Sequence, residues 1–345
     1  MPTWMTRRLL FVLFSASLPI ASMAAEAGKR VVLNGAGSTF VYPILAQWIK
    51  AYQSLHPGIE IAYEPVGSGR GISRVLAGTV DFGASDGPMT DLQIRHARTG
   101  IVHIPVILGA VVPAYSLPGV DGDLKFTPAT LAGIFLGRIK RWDDPELVLA
   151  NAGLRLPDRA ISVVFRTDGS GTTYVWTDYL SKVSPEWKQH VGCGTSVSFP
   201  VGTGAQFNEG VVDLVKKTPY SIGYLQLTYA LENHVQFGRV ENSSGVFVKA
   251  ASASITAAAA ATATEMPADY RVSITNAADV DAFPISSFSW LLAPARIEDP
   301  VRRQTIAGFI RWILTDGQKF AGPMNYAALP GDVAQRILRT AAPLQ

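Results

Sequence analysis

Three times along this chain an apolar run, a loop of glycines and hydroxyls, and a helical pattern follow one another. Gly35-Ala36-Gly37-Ser38-Thr39-Phe40 joins a strand pattern at residues 31–34 to a helical one at 41–52. In that helix Ile44, Leu45, Trp48, Ile49 and Tyr52 share one face at 3.6 spacing. Gly67-Ser68-Gly69-Arg70-Gly71 joins an alternating strand at 59–64 to a short helix marked by Ile72, Val75 and Leu76, which stops at Gly78. Asp168-Gly169-Ser170-Gly171-Thr172-Thr173 joins a strand at 161–165 to a helix over about 172–183. Strand–helix alternation of this kind predicts α/β layers around a mainly parallel sheet.

Each loop sets small residues and hydroxyls at a helix N-terminus. Free N–H groups point outward there, and the helix dipole adds partial positive charge. Glycines let the backbone approach closely. Taken singly, each loop could be no more than a capped helix. Three of them at the C-terminal ends of predicted strands, where open α/β sheets bind ligands, point to an anion site.

Two charged positions sharpen this. Arg166 precedes the third loop and offers a planar fork suited to a tetrahedral oxyanion. Asp168 could hold that fork from behind; the bland alternative for the pair is a surface salt bridge. Asp86, in Asp81-Phe82-Gly83-Ala84-Ser85-Asp86-Gly87-Pro88, is a carboxylate where an anion is expected. That makes sense if the anion carries a proton, as phosphate does near neutral pH and sulfate does not. Otherwise Asp86 is a turn residue before Pro88.

The rest of the chain continues the alternation. Residues 80–84 form a third strand candidate, and 101–112 read as one or two buried strands. Helical patterns follow at 130–136, 208–217, 306–314 and 333–340, and strand patterns at 222–227 and 288–292. The alanine-rich stretch 250–263 reads as an exposed or semi-buried helix. No long linker separates two halves, so crossing strands are expected to join any two domains.

Composition excludes several classes. At 345 residues the length suggests about two domains, and 48% hydrophobic against 17% charged residues excludes a disordered chain. The net charge of +3 is too weak for general nucleic-acid binding. The single cysteine, Cys193, excludes an intrachain disulfide and a zinc site built on several cysteines; in its Gly-Cys-Gly loop it reads as a small space filler. The five histidines form no His-Glu-x-x-His pattern. Ser68 and Ser170 do not fit the nucleophile motif Gly-x-Ser-x-Gly, because Val66 and Asp168 occupy its first position. Neither catalysis nor a cofactor is expected.

The N-terminus reads as an export signal. Arg7 and Arg8 precede an apolar run at 9–20, then small residues at 21–25, with cleavage expected near Ala24. The run is shorter than the roughly 20 residues of a membrane span. No cysteine follows it to carry a lipid, so the expected location is periplasmic.

Several separated motifs, in order, resemble the phosphate-binding proteins of bacterial phosphate ABC importers (PstS type). They are Gly35 to Phe40, Asp81 to Asp86, Ile134-Phe135-Leu136-Gly137-Arg138-Ile139-Lys140-Arg141-Trp142-Asp143-Asp144, Arg166 to Thr172, Ile222-Gly223-Tyr224 and Tyr326-Ala327-Ala328-Leu329-Pro330. The resemblance implies a type II periplasmic binding protein fold, with two α/β lobes around a ligand cleft. After a signal peptide at 1–24, one lobe would comprise 25–107 and 283–345, and the other 108–282. It implies a phosphate site lined by Thr39, Phe40, Ser68, Asp86, Arg166, Ser170, Gly171 and Thr172. Thr39, Ser68, Ser170 and Thr172 would donate through hydroxyls, and Phe40 and Gly171 through backbone N–H. Arg166 would supply the charge, Asp86 would accept the phosphate proton, and Asp168 would support Arg166. The implied partners are inorganic phosphate and the membrane permease and ATPase subunits of an importer, with a monomer as the default. Two departures stand out. Arg70 replaces a small residue and is expected to point to solvent, and Val41-Tyr42 replaces a proline-small pair. A binding protein for another oxyanion, a phosphate-binding surface or secreted protein, and a phosphatase on the same fold are the alternatives.

Overall fold

The computed structural model describes residues 30–263 and 266–340, together with Met1. The expected export signal, Met1 apart, lies outside them. The chain opens with β1 (Val31–Gly37), α1 (Tyr42–Leu55), β2 (Ile59–Glu64), α2 (Ser68–Ala77), β3 (Phe82–Ser85) and α3 (Asp91–Arg95). α1 buries Ile44, Leu45, Trp48 and Tyr52, the face its spacing predicts. α2 ends where Gly78 turns left-handed at φ 68°, a conformation glycine adopts without penalty.

β4 (Ile101–Ser116) is one strand of 16 residues, buried almost throughout. A second series follows: β5 (Lys125–Phe126), α4 (Pro128–Phe135), α5 (Pro145–Ala150), β6 (Ser162–Arg166), α6 (Gly171–Val183), α7 (Pro185–His190), β7 (Thr203–Ala205), α8 (Phe207–Lys217) and β8 (Ser221–Gln226). Next come α9 (Leu227–Glu232), β9 (Gln236–Phe237), β10 (Arg239–Glu241), β11 (Phe247–Val248) and α10 (Ser252–Ala261). The alanine-rich helix α10 buries Ile255, Ala258 and Ala259. β12 (Ser286–Pro294), α11 (Pro300–Leu314) and α12 (Gly331–Thr340) close the chain.

Among the described residues the main sheet runs β2-β1-β3-β12-β4-β8-β6-β7, with β9 beside β4. It is mixed rather than mainly parallel. β12 runs antiparallel to β3 and β4, and β4 antiparallel to β8, while the β1–β2, β1–β3, β6–β7 and β6–β8 pairs are parallel. The reason is topological: one long strand and its returning partner cross between the two series, and a strand running back beside its predecessor pairs antiparallel. β4 changes partners midway. Ala110 pairs with Ser286 of β12, and Val111 with Gln226 of β8. One strand thus belongs to two α/β lobes, and the loops that follow β1, β3 and β6 meet where it passes between them.

Candidate functional site

The first lobe's part of the site depends on close backbone packing. Gly37 has φ 143°, and a side chain there would stand 2.2 Å from the Ala84 carbonyl oxygen. A side chain at Gly71 would stand 2.5 Å from the Gly37 Cα. Only glycine at both places lets the N-terminus of α2 reach the ends of β1 and β3. Ser38, Thr39, Ser68 and Asp86 are gathered there, each at most 3% exposed.

Asp86 is the centre of this half. Its Oδ2 accepts from Ser38 Oγ at 2.5 Å and from Ser68 Oγ at 3.4 Å; its Oδ1 accepts from Ser289 Oγ at 2.6 Å. Ser287 Oγ on the same face of β12 donates to the Asp86 carbonyl at 3.1 Å. Burial pushes the Asp86 carboxyl up to about 6, while the hydroxyls of Ser289, Ser38 and Ser68, and the Arg166 charge, act against it.

The second lobe brings Arg166 at the end of β6. Its guanidinium makes a two-pronged pair with Asp168, Nε to Oδ1 at 2.7 Å and Nη2 to Oδ2 at 2.6 Å. Both side chains are buried, so this is not a surface salt bridge. Asp168 is held in turn by the Phe207 N–H at 2.9 Å. Arg166 Nη1 reaches Thr172 Oγ1 at 3.3 Å, and Nη2 reaches Thr39 Oγ1 at 3.4 Å. Ser170 caps α6 by accepting from the Thr173 N–H at 3.0 Å, which leaves its hydroxyl proton free to donate. Gly171 opens α6, and its N–H is among those the helix cannot satisfy itself.

The two halves are in contact. The Gly69 N–H donates to the Gly169 carbonyl at 2.8 Å, so the second and third loops touch. Asn208 Nδ2 donates to Thr39 Oγ1 at 3.0 Å, and the Tyr229 hydroxyl donates to the Thr39 carbonyl at 2.9 Å. A side chain at Gly171 would stand 2.3 Å from Asp86 Oδ2. The lobes are therefore seen closed on each other.

The structure brings Thr39, Ser68, Asp86, Arg166, Gly171 and Thr172 together, with Asp168 behind Arg166. Phe40 is buried; its carbonyl accepts from the Tyr326 hydroxyl at 2.5 Å, which ties the loop to the C-terminal motif. Arg70 is exposed, as expected. Cys193 is exposed rather than a space filler, because its loop lies on the surface. Four residues at the site were not anticipated: Ser38, Asn208, Tyr229 and Ser289. The usable signal for Ser289 is its alternation with Ser287 in a strand that carries three serines among apolar residues, where two hydroxyls on one buried face need an acceptor.

A family model described as PBP superfamily domain matches residues 24–317. The phosphate-binding protein PstS of Xylella fastidiosa is 40% identical over 91% of this chain and 86% of its own length. The chain belongs to the PstS family of phosphate-binding proteins. The PstS of Pasteurella multocida is also 40% identical, over 96% of this chain and 95% of its own. Among solved structures, a high affinity periplasmic phosphate-binding protein bound with phosphate (PfluDING) superposes with a TM-score of 0.70 at 20% identity, covering 89% of this chain and 93% of its own. A putative phosphate ABC transporter substrate-binding protein with bound phosphate, from Clostridium perfringens, superposes at 0.61 and 17% identity, covering 87% of this chain and all of its own. These share the two-lobed α/β architecture of a PstS-type protein.

Proposed function

We propose that the protein captures inorganic phosphate between its lobes and delivers it to an ABC-type importer. The observation that carries this reading is a buried guanidinium and a buried, site-facing carboxylate converging on the N-terminus of α6. Arg166 and the hydroxyls of Thr39, Ser68, Ser170 and Thr172 donate to phosphate oxygens, as do the N–H groups of Phe40 and Gly171. Asp86 Oδ2 accepts the proton that phosphate carries, and it repels an oxyanion with none to offer. The relatives' name, phosphate-binding protein PstS, supports the same ligand.

With Asp168 neutralising Arg166 and Asp86 ionised, the site holds no excess positive charge. Affinity then rests on directed hydrogen bonds, each worth roughly 1.5–3 kcal/mol when one partner is charged. Micromolar binding needs about 8 kcal/mol, so such a shell suffices after dehydration and closure. Because the donors come from both lobes, only the closed form completes the shell, and ligand shifts the population toward it. The lobes are read as 25–107 with 283–345, and 108–282; the partner change of β4 at Ala110 and Val111 supports a division near there.

The mature protein is read as a periplasmic monomer that carries no cofactor and hands phosphate to membrane permease and ATPase subunits. No helix among the described residues is long and apolar enough to cross a membrane. Binding rather than hydrolysis fits the two loop serines, since Ser68 faces Asp86 and Ser170 caps α6. Titration of variants tests the reading. Arg166→Ala should lose most phosphate affinity, and Asp86→Asn should admit sulfate. Near-normal affinity in the first, with unchanged selectivity in the second, would remove both residues from the site.

A further inference from the structure

Asp86 presents its two carboxylate oxygens to different surroundings. Oδ2 faces the N-terminus of α6, since a methyl at Gly171 would stand 2.3 Å from it and 2.4 Å from Ser68 Oγ. Oδ1 points the other way, to Ser289 in the middle of the sheet. Ser289 is fully buried, and its hydroxyl sits 2.6 Å from Oδ1, a short, charge-assisted bond. The backbone there is irregular. β12 and β4 slip register between Ser289 and Trp290, where Ser289 pairs with Ile107 and Trp290 with Pro105. Such a bulge re-aims a side chain. Here it lies at the serine that meets the carboxylate, beside a proline that cannot donate to the ladder. Ser38 holds Oδ2 at 2.5 Å, while the second hydroxyl on that oxygen, Ser68, stands off at 3.4 Å on the side of α6, where a ligand's proton can take its place.

The geometry points to Ser289, assisted by Ser38, as a specificity-determining positioning residue that keeps Asp86 oriented and ionised, so that it acts as an acceptor only. The inference rests on the proposed role of Asp86 as acceptor of the phosphate proton. A neutral Asp86 would carry an O–H and could donate to a fully ionised oxyanion, which abolishes the discrimination. Burial works toward the neutral form and the serine hydroxyls against it. The other charged or titratable groups facing Asp86 are Arg166 from β6, Tyr63 from β2 and Tyr326 from the C-terminal segment. Both phenols are held above their ordinary range, chiefly by burial and further by the Asp86 charge. They stay neutral over the working range, which leaves Asp86 as the group that switches.

Sulfate is the right probe because it carries no proton between pH 5 and 8.5, so any change in its binding reports the protein alone. In wild-type protein sulfate binding should appear only as pH falls through about 6, where Asp86 takes up its proton. Losing one charge-assisted hydrogen bond should move that onset upward in Ser289→Ala by about one to two pH units, a roughly 10- to 100-fold change in the ratio of ionised to neutral carboxyl. Ser38→Ala should move it in the same direction, and Ser289→Thr, which restores a hydroxyl, should return it toward wild type. Asp86→Asn should bind sulfate with no pH dependence. An onset unchanged in both Ser→Ala variants, alongside sulfate binding by Asp86→Asn, would overturn the role of the serines and leave that of Asp86 standing. No sulfate binding by Asp86→Asn at any pH would overturn the underlying reading as well.

Discussion

Gly171→Ala places a methyl group where the two lobes meet. It would stand 2.3 Å from Asp86 Oδ2, 2.4 Å from Ser68 Oγ and 2.9 Å from Asp86 Cβ. Ordinary contacts lie near 3.5 Å, so the facing lobe must retreat by about 1 Å. Overpacking of this kind costs about 1–3 kcal/mol, and here it falls only on the closed form. Phosphate affinity should therefore drop by roughly 5- to 150-fold. The ligand-free protein should not lose stability, because alanine is a better helix former than glycine by up to about 1 kcal/mol. Calorimetric titration gives the affinity, thermal unfolding of stripped protein gives the stability, and small-angle scattering shows whether phosphate still compacts the molecule. A variant that binds within twofold of wild type and compacts normally would refute closure at Gly171.

Tyr229→Phe removes the hydroxyl that bonds the Thr39 carbonyl across the lobes. An unsatisfied buried carbonyl costs about 1–3 kcal/mol, so phosphate release in stopped flow should be faster by roughly fivefold or more. An unchanged release rate would mean that the contact survives opening. Asp86 also links stability to pH. Its carboxyl is raised from 3.8 to about 6 in the folded protein, so the folded state binds this proton more tightly than the unfolded chain. That contribution is fully present below about pH 4 and is lost as pH rises through about 6. That proton stabilises the closed form in which Asp86 is buried, so stripped wild-type protein should favour closure by on the order of 2–3 kcal/mol more at pH 4 than at pH 8, relative to Asp86→Asn, read as compaction in small-angle scattering. Equal compaction at both pH values would contradict this.

The parts of the site legible in the sequence are those built by local chain geometry. A glycine–hydroxyl loop between a strand and a helix is a property of half a dozen consecutive residues. For that reason the loops that hold Thr39, Ser68, Ser170, Gly171 and Thr172 could be read as facing an anion from their own residues, and the family resemblance picked the individual positions within them. Arg166 and Asp168 sit two residues apart, and their fork is equally local. Ser289 meets Asp86 across 203 positions, and Asn208 meets Thr39 across 169. Nothing in their neighbours announces such partners, because the contacts exist only once β12 and α8 are in place. The sheet failed for the same reason. Residues 101–112 showed their apolarity, but not that one strand continues to Ser116 and serves two lobes in opposite pairings. Cys193 shows the converse limit: composition marks a cysteine as a residue often buried, and only the surface course of its loop exposes it.

The most direct test is calorimetric titration of the mature, phosphate-stripped protein with phosphate and then sulfate, at pH 8 and at pH 5. The account predicts tight one-to-one phosphate binding at pH 8 with no response to sulfate, and sulfate binding emerging at pH 5. Equal binding of the two anions at pH 8, or no binding of phosphate, would contradict it.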